Sequence, residues 1–376
     1  MKRYTSFRAV TARERYTMFQ LALFALLSVS LLFGADATGF TTGKAELKSA
    51  GALAFGPEGI LFIGDSIAGA VVAVDTRDTQ AAAASHEIEL NGIDRKVAAL
   101  LGLDSGQILI GDIKVNPISK NVYLSISRGR DQDSAPVILR LDASGKLTEL
   151  SLDNIPHSTA RLPNPPVSNP KAENWNPRLQ TITQLAYVDG NVIAAGLSNE
   201  EFSSNLRIVP FPFRMVDKGA SVEIFHGSHG EYETQAPVRT FIPWTIGKER
   251  YIVAAYTCTP LVLIPVNALK SGAKITGITI AEFGMGNRPL DMIAYRKDDH
   301  DFILLANSYR GVLKLSAENL DRYRPITEQE QIAGVSFKRI SGLRGVRRLA
   351  ALDATKALML ADGGNGSLDL RSFPLP

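Results

Sequence analysis

Ala52-Leu-Ala-Phe-Gly-Pro-Glu-Gly-Ile-Leu-Phe-Ile-Gly-Asp65, continued by Val71-Val-Ala-Val-Asp75, holds three short apolar runs separated by Gly, Pro, Asp and other turn formers. Runs this short, bounded by such residues, read as strands of a small antiparallel meander rather than as helices. The pattern then returns. A second copy is Ile113-Lys-Val115, Val122-Tyr-Leu-Ser-Ile-Ser127 and Val137-Ile-Leu-Arg-Leu-Asp142. A third is Leu185-Ala-Tyr187, Asn191-Val-Ile-Ala-Ala-Gly-Leu-Ser198 and Leu206-Arg-Ile-Val209. Three more are centred on Phe241-Ile-Pro-Trp244, Met292-Ile-Ala-Tyr295 and Leu349-Ala-Ala-Leu352. From Phe55 through Val115, Tyr187, Trp244 and Tyr295 to Leu352 the steps are 60, 72, 57, 51 and 57 residues, long enough for a fourth strand and loops in each.

A unit recurring at this period cannot bury both its faces alone, so the repeat implies an all-β ring of packed sheets, a β-propeller. Six four-stranded blades account for the chain from residue 38 to residue 376, with seven as the alternative count. The fourth strands expected are His86–Leu90, Leu147–Leu152, Val222–Phe225, Ile278–Phe283 and Val335–Ile340. The sixth copy lacks one, and Thr41–Lys48 is the expected donor, an N-terminal strand pairing into the last blade and closing the ring. Asp94–Gly102 is expected as a short helix between strands.

Residues 1–37 read as a secretory signal peptide. A basic stretch with Lys2, Arg3, Arg8, Arg13 and Arg15 precedes the apolar run Phe19–Phe33 and the small-residue triplet Ala35-Asp-Ala37. The alternative is an uncleaved anchor of the same orientation. The chain has 41 Lys and Arg against 38 Asp and Glu, and a leader carrying five basic and two acidic residues leaves 36 of each behind. A neutral mature chain lacks the clustered basic excess that a nucleic-acid partner needs. Location outside the cytoplasm, secreted or periplasmic, is the expectation, with membrane contact only if the leader is retained. A monomer is expected. Cys258 is the only cysteine, so no internal disulfide exists, and its apolar setting reads as a buried, inert strand residue.

Gly286-Asn-Arg-Pro-Leu-Asp-Met-Ile-Ala-Tyr295 with Ile303-Leu-Leu-Ala-Asn307 resembles the YVTN-type propeller repeat, and Pro57–Asp65 resembles the NHL-type one. Both resemblances imply an extracellular propeller and leave its function open. Arg288-Pro-Leu-Asp-Met292 is similar to an inner-strand entry of gluconolactonase-like six-bladed propellers, where an aspartate binds metal. Here Leu290 separates Pro289 from Asp291 and no glycine follows.

No H-E-x-x-H, G-x-S-x-G or complete phosphate loop occurs, and Gly39–Lys44 is one residue short of the last. His226 and His229 would face opposite sides of a strand, so they meet at one metal only in a loop. With no third ligand nearby in sequence, a solvated turn is expected. The stronger signal is positional. The second strands end in Asp65, Ser127, Ser198-Asn199, Thr257, Asn307-Ser308 and Asp362; the first strands are entered through Asp112, Thr183-Gln184, Thr240, Asp291 and Arg348. Such ends lie together on one propeller face, where oxygen donors form a ring suited to a hard divalent cation such as calcium. Asp291, Asn199 and Asn307 are the metal-ligand candidates. Ordinary turn formation is the competing role of the same residues. Ile155–Pro177, crowded with Pro and Asn, is expected as a loop over one face, with Trp175 as an anchor.

No catalytic residue is identified, and whether the chain is an enzyme stays open. The expected function is an exported module that binds a protein or small molecule through one loop-rich face. The ligand-binding candidates are Asp65, Asp112, Asn199, Asp291, Asn307, Asp362 and Trp175. The alternatives are a metal-dependent hydrolase or lactonase, and an accessory subunit of an extracytoplasmic redox enzyme. A c-type haem would need a second cysteine.

Overall fold

A computed structural model describes residues 39–82, 84–129, 135–169, 175–258 and 260–376. The expected signal peptide, residues 1–37, lies outside the described residues, as do residues 170–174 of the expected loop. Strand β1 (Thr41–Gly43) precedes the meander β2 (Leu53–Phe55), β3 (Ile60–Asp65) and β4 (Ala70–Asp75). The two-residue β5 (Glu89–Leu90) leads into helix α1 (Ile93–Leu101). Then come β6 (Ile108–Val115), β7 (Val122–Arg128), β8 (Ala135–Leu141), β9 (Leu147–Glu149) and β10 (Ile155–Arg161). The next group is β11 (Gln184–Val188), β12 (Asn191–Leu197), β13 (Ser204–Pro210) and β14 (Ala220–His226), with β15 (Glu231–Glu233) folded back on β14. After these follow β16 (Thr240–Ile246), β17 (Glu249–Ala255), β18 (Pro260–Pro265) and β19 (Lys274–Phe283). The chain ends with β20 (Pro289–Lys297), β21 (His300–Asn307), β22 (Gly311–Ser316), β23 (Ile332–Gly334), β24 (Phe337–Arg339), β25 (Val346–Ala351), β26 (Lys356–Gly364) and β27 (Ser367–Pro374).

The molecule is an all-β propeller. Its four-stranded antiparallel units are β2-β3-β4-β10, β6 to β9, β11 to β14, β16 to β19, β20-β21-β22-β24 and β25-β26-β27-β5. The third and fourth units join into one larger sheet through parallel pairing of β14 with β19. The inner strands follow the ring order β2, β6, β25, β20, β16, β11 and back to β2. Six apolar clusters repeat this order independently, each filling the space between two neighbouring units. Each sheet therefore buries both faces against its neighbours, which is the main stabilising term for short strands that would be marginal alone. Close packing leaves little room: a Cβ on Gly196 would stand 2.2 Å from the Thr181 carbonyl oxygen.

Two sequence expectations are corrected. The chain does not visit the units in consecutive order, because the unit β6 to β9 sits between the first and the last. The chain leaves β4, runs under this unit to the last one, and only returns to the first at β10. Buried Asp78 pins the crossing: its side chain accepts hydrogen bonds from Asn116, Ser119, Asn121 and Tyr123. The strand expected to complete the first unit therefore completes the last, with Glu89 opposite Arg371 and Leu90 opposite Leu370. Thr41–Gly43, expected on the last unit, pairs instead with Ile155–His157 at the outer edge of the first.

The second correction concerns Ile155–Pro177. Its first seven residues are strand β10, with His157 to Arg161 paired to β4. The prolines cluster from Pro163 onward, and Pro156 lies beyond the β4 register, opposite Thr42 of the short edge strand. A proline without an N–H is tolerated there. The helix expected at Asp94–Gly102 forms one residue earlier. Ile93, Val97 and Ala98 are buried, and Gly102 ends the helix at φ +68°, a left-handed conformation that glycine adopts without strain.

Candidate functional site: an arginine-lined axial cavity

The inner strands of three units begin with a β-bulge at the same place: between Ile110 and Asp112 in β6, Pro289 and Asp291 in β20, and Val346 and Arg348 in β25. A bulge turns the following side chain out of the ladder. In β6 and β20 that side chain is an aspartate which ties one unit to the next. Asp112 Oδ1 accepts from its neighbour Ile113 N and Oδ2 from Leu53 N of β2, both at 2.8 Å. Asp291 repeats the device, with Oδ1 accepting from Met292 N at 2.8 Å and Oδ2 from Leu349 N of β25 at 3.0 Å. In β25 the equivalent residue is Arg348, whose Nε donates to Gly111 O at 2.7 Å and Nη1 to Leu290 O at 3.0 Å. Elsewhere the ring is stitched by Ser66 Oγ with Ile182 O, Thr183 Oγ1 with Val238 O, and Cys258 N with Asn287 O.

These strand starts surround a cavity of about 1210 Å³ to which all six units contribute wall residues. Its charged lining is Asp94, Asp112, Asp291 and Asp362 against Arg239, Arg288, Arg339, Arg344, Arg347 and Arg348. The acids are already engaged. Asp112 also meets Lys114 Nζ at 3.2 Å, Asp362 pairs with Arg347 at 2.7 Å, and Asp94 accepts from Leu368 N. Burial pulls the Lys114 ammonium down, but the Asp112 and Asp291 carboxylates beside it prevail and hold it above its ordinary value. Burial pushes the Asp291 carboxyl up, against the pull of Lys114.

The guanidinium groups are less well matched. Arg239 donates to Gln180 Oε1 at 2.7 Å, its buried Nε has no partner, and no carboxylate pairs with it among the described residues. Burial and the charges of Arg288 and Arg348 pull Arg239 down to about 10. Burial and Arg348 lower Arg288 as well. Since a guanidinium stays protonated at neutral pH, three like charges share the wall, Arg239 and Arg348 half-buried and Arg288 exposed, an arrangement that an incoming anion would relieve.

The sequence candidates divide. Asp112, Asp291, Asn307 and Asp362 share this wall. Asp65 does not; it is fully buried and accepts from Lys48 N, Ser49 N and Ala68 N, holding a turn. Asn199 and Trp175 are also absent from the wall, although Trp175 is half exposed. Of the three metal-ligand candidates, only Asp291 and Asn307 come together. Asn307 Oδ1 accepts from Asn287 Nδ2 at 3.1 Å. The wall carries more arginines than aspartates, and the oxygens of Asp112 and Asp291 already accept backbone N–H groups, so these two residues serve as ties between units. Arg239, Arg288 and Arg347 were missed because no local motif marks a charge that matters only through its neighbours around the ring.

No family model matches the chain, and no curated protein does. Solved propellers resemble it at low identity. A glucose dehydrogenase matches with a TM-score of 0.39 and 14% identity over 89% of this chain and 100% of its own. The PQQ-bound aldose sugar dehydrogenase of Streptomyces coelicolor matches with a TM-score of 0.34 and 11% identity over 88% and 96%. A chain of the mitotic checkpoint complex matches with a TM-score of 0.38 and 8% identity over 89% and 92%. Proteins so different in role, at such scores, carry no statement about what this chain does.

Proposed function

We propose that this propeller is a binding module whose axial cavity takes an anionic, hydrophilic small molecule, such as a phosphorylated or carboxylated sugar. The observation that carries the reading is the cluster of Arg239, Arg288 and Arg348 at the wall, with no carboxylate partner for Arg239 or Arg288 among the described residues. A cavity of about 1210 Å³ exceeds the usual size of a drug-like site, so it has room for a molecule carrying more than one charged group. Arg is the residue suited to planar, bidentate recognition of carboxylate and phosphate. The hydrolase reading has less support, because both oxygens of Asp291 already accept backbone N–H bonds.

A thermal-shift screen tests this. Citrate, glucose 6-phosphate, gluconate and the tricarboxylated quinone PQQ are compared with glucose at equal ionic strength. Anions are expected to raise the melting temperature and glucose to leave it unchanged. Stabilisation by glucose equal to that by its phosphate, or no shift with any anion, would overturn the proposal.

A further inference from the structure

Cys258 is distant in sequence from His226 and His229, yet the structure gathers the three at the boundary of the third and fourth units. One donor atom from each lies within 4.8 Å of the other two. Two features bring the imidazoles together. Strand β14 ends at His226, and the chain turns there, with His229 N and Gly230 N both donating to His226 O at 3.1 and 2.8 Å. The turn overrides the strand alternation that would have sent the rings to opposite faces, and the ring centroids stand 3.9 Å apart. Glu282 holds the turn from below, accepting from Gly227 N at 2.6 Å and from Ser228 Oγ at 3.1 Å.

Cys258 arrives from the turn after β17. The sequence places it in a buried strand; the structure puts it in a half-buried turn at φ +61°, a backbone region that few non-glycine residues adopt. Functional sites are where such strain collects.

The second observation is His226 itself. It is 1% exposed; its Nδ1 faces Glu233, and its Nε2 makes no hydrogen bond among the described residues. A buried ring nitrogen left in this way is costly unless something satisfies it. Glu233 Oε1 stands 2.8 Å from His226 Nδ1 and 2.6 Å from His229 Nδ1. A carboxylate against the far nitrogen of an imidazole is the arrangement that orients histidine ligands in metal sites.

We propose that His226, His229 and Cys258 form a binding site for a borderline transition metal ion of the zinc class, with Glu233 as the positioning carboxylate. Two imidazoles and a thiolate are the donors such an ion prefers, and calcium or magnesium would not select them. Three protein ligands leave one position of a tetrahedron for water or another ligand. His229 is partly exposed, so an ion can enter from solvent. The site would clasp the β14–β15 hairpin to the turn after β17, joining neighbouring units.

The test uses the full chain, purified with reductant and stripped with chelator, and titrated with cobalt(II). Expected are one equivalent of tight binding, a thiolate-to-cobalt charge-transfer absorption, displacement by zinc and not by calcium, and a raised melting temperature. Cys258→Ser should abolish the charge-transfer band, and His229→Gln, a change at a partly exposed residue that leaves the fold intact by circular dichroism, should weaken cobalt binding by at least about tenfold. Absence of the band in the wild type at millimolar cobalt would overturn the proposal. So would its survival in Cys258→Ser, or affinity unchanged in Cys258→Ser but weakened in His229→Gln, which would place the ion on exposed His229, Glu231 and Glu233 instead.

Discussion

Replacing Asp291 by alanine separates a structural tie from a ligand. Its side chain is 2% exposed and accepts two backbone N–H groups, one from its own strand and one from the neighbouring unit. Removal strands both donors in a buried place, at about 1–3 kcal/mol each, and takes one of two carboxylates from Lys114. The expected loss is therefore about 2–6 kcal/mol. Asp291→Asn keeps an acceptor for only one donor and turns an NH₂ toward the other, so about half that loss is expected. Asp362→Ala is the control. It shares the cavity wall but holds only an exposed ion pair with Arg347, worth about 0–1 kcal/mol. Urea unfolding monitored by fluorescence gives the comparison, with the midpoint read at unchanged slope. A loss under about 1 kcal/mol in Asp291→Ala, or a loss in Asp362→Ala as large, would refute the stitching argument. Calcium should change neither wild-type nor variant midpoints.

The ring's closure predicts an asymmetry between the two N-terminal strands. Deleting Thr41–Gly43, a mostly exposed edge strand, should cost less than about 1 kcal/mol, whereas Asp94→Ala leaves Leu368 N of the closing sheet without its acceptor and should cost about 1–3 kcal/mol by urea unfolding; the reverse order would contradict the observed pairing. Burial pushes the Glu282 carboxyl above its ordinary value, with His226 and the hydrogen bonds of the turn opposing. A raised folded-state pKa means that its contribution is fully present below about pH 4.5 and is lost as pH rises through the raised value. Glu282→Gln should flatten the wild-type melting-temperature profile in that window; an unchanged profile would assign the pH dependence elsewhere.

Much of the architecture was legible because strand identity depends on local pattern. Each meander quoted from the sequence forms, and four of the five expected fourth strands pair with their own unit's third strand or, like Leu147–Glu149, begin where expected. Connectivity was not legible. His86–Leu90 has the same alternating character whether it pairs with β4 or β27, and what sends it to the last unit is the buried Asp78 network 8 residues upstream. Of the acidic strand ends, Asp112, Asp291 and Asp362 line the cavity and Asp65 does not, and Asp112 and Asp291 each give one oxygen to backbone of the next unit, a partner set by ring order alone. The grouping of the arginines and the approach of Cys258 to the His226 and His229 pair were hidden for the same reason, since both arise between units rather than within any one of them.

The central claim is that uncompensated guanidinium groups make the axial cavity an anion site. Isothermal titration of glucose 6-phosphate into the wild type and into the Arg239→Gln, Arg288→Gln double variant tests it most directly. Each charge-assisted hydrogen bond lost is worth about 1.5–3 kcal/mol, so the account predicts an affinity drop of about a hundredfold or more, with the fold unchanged. Equal affinity in the two proteins would contradict it.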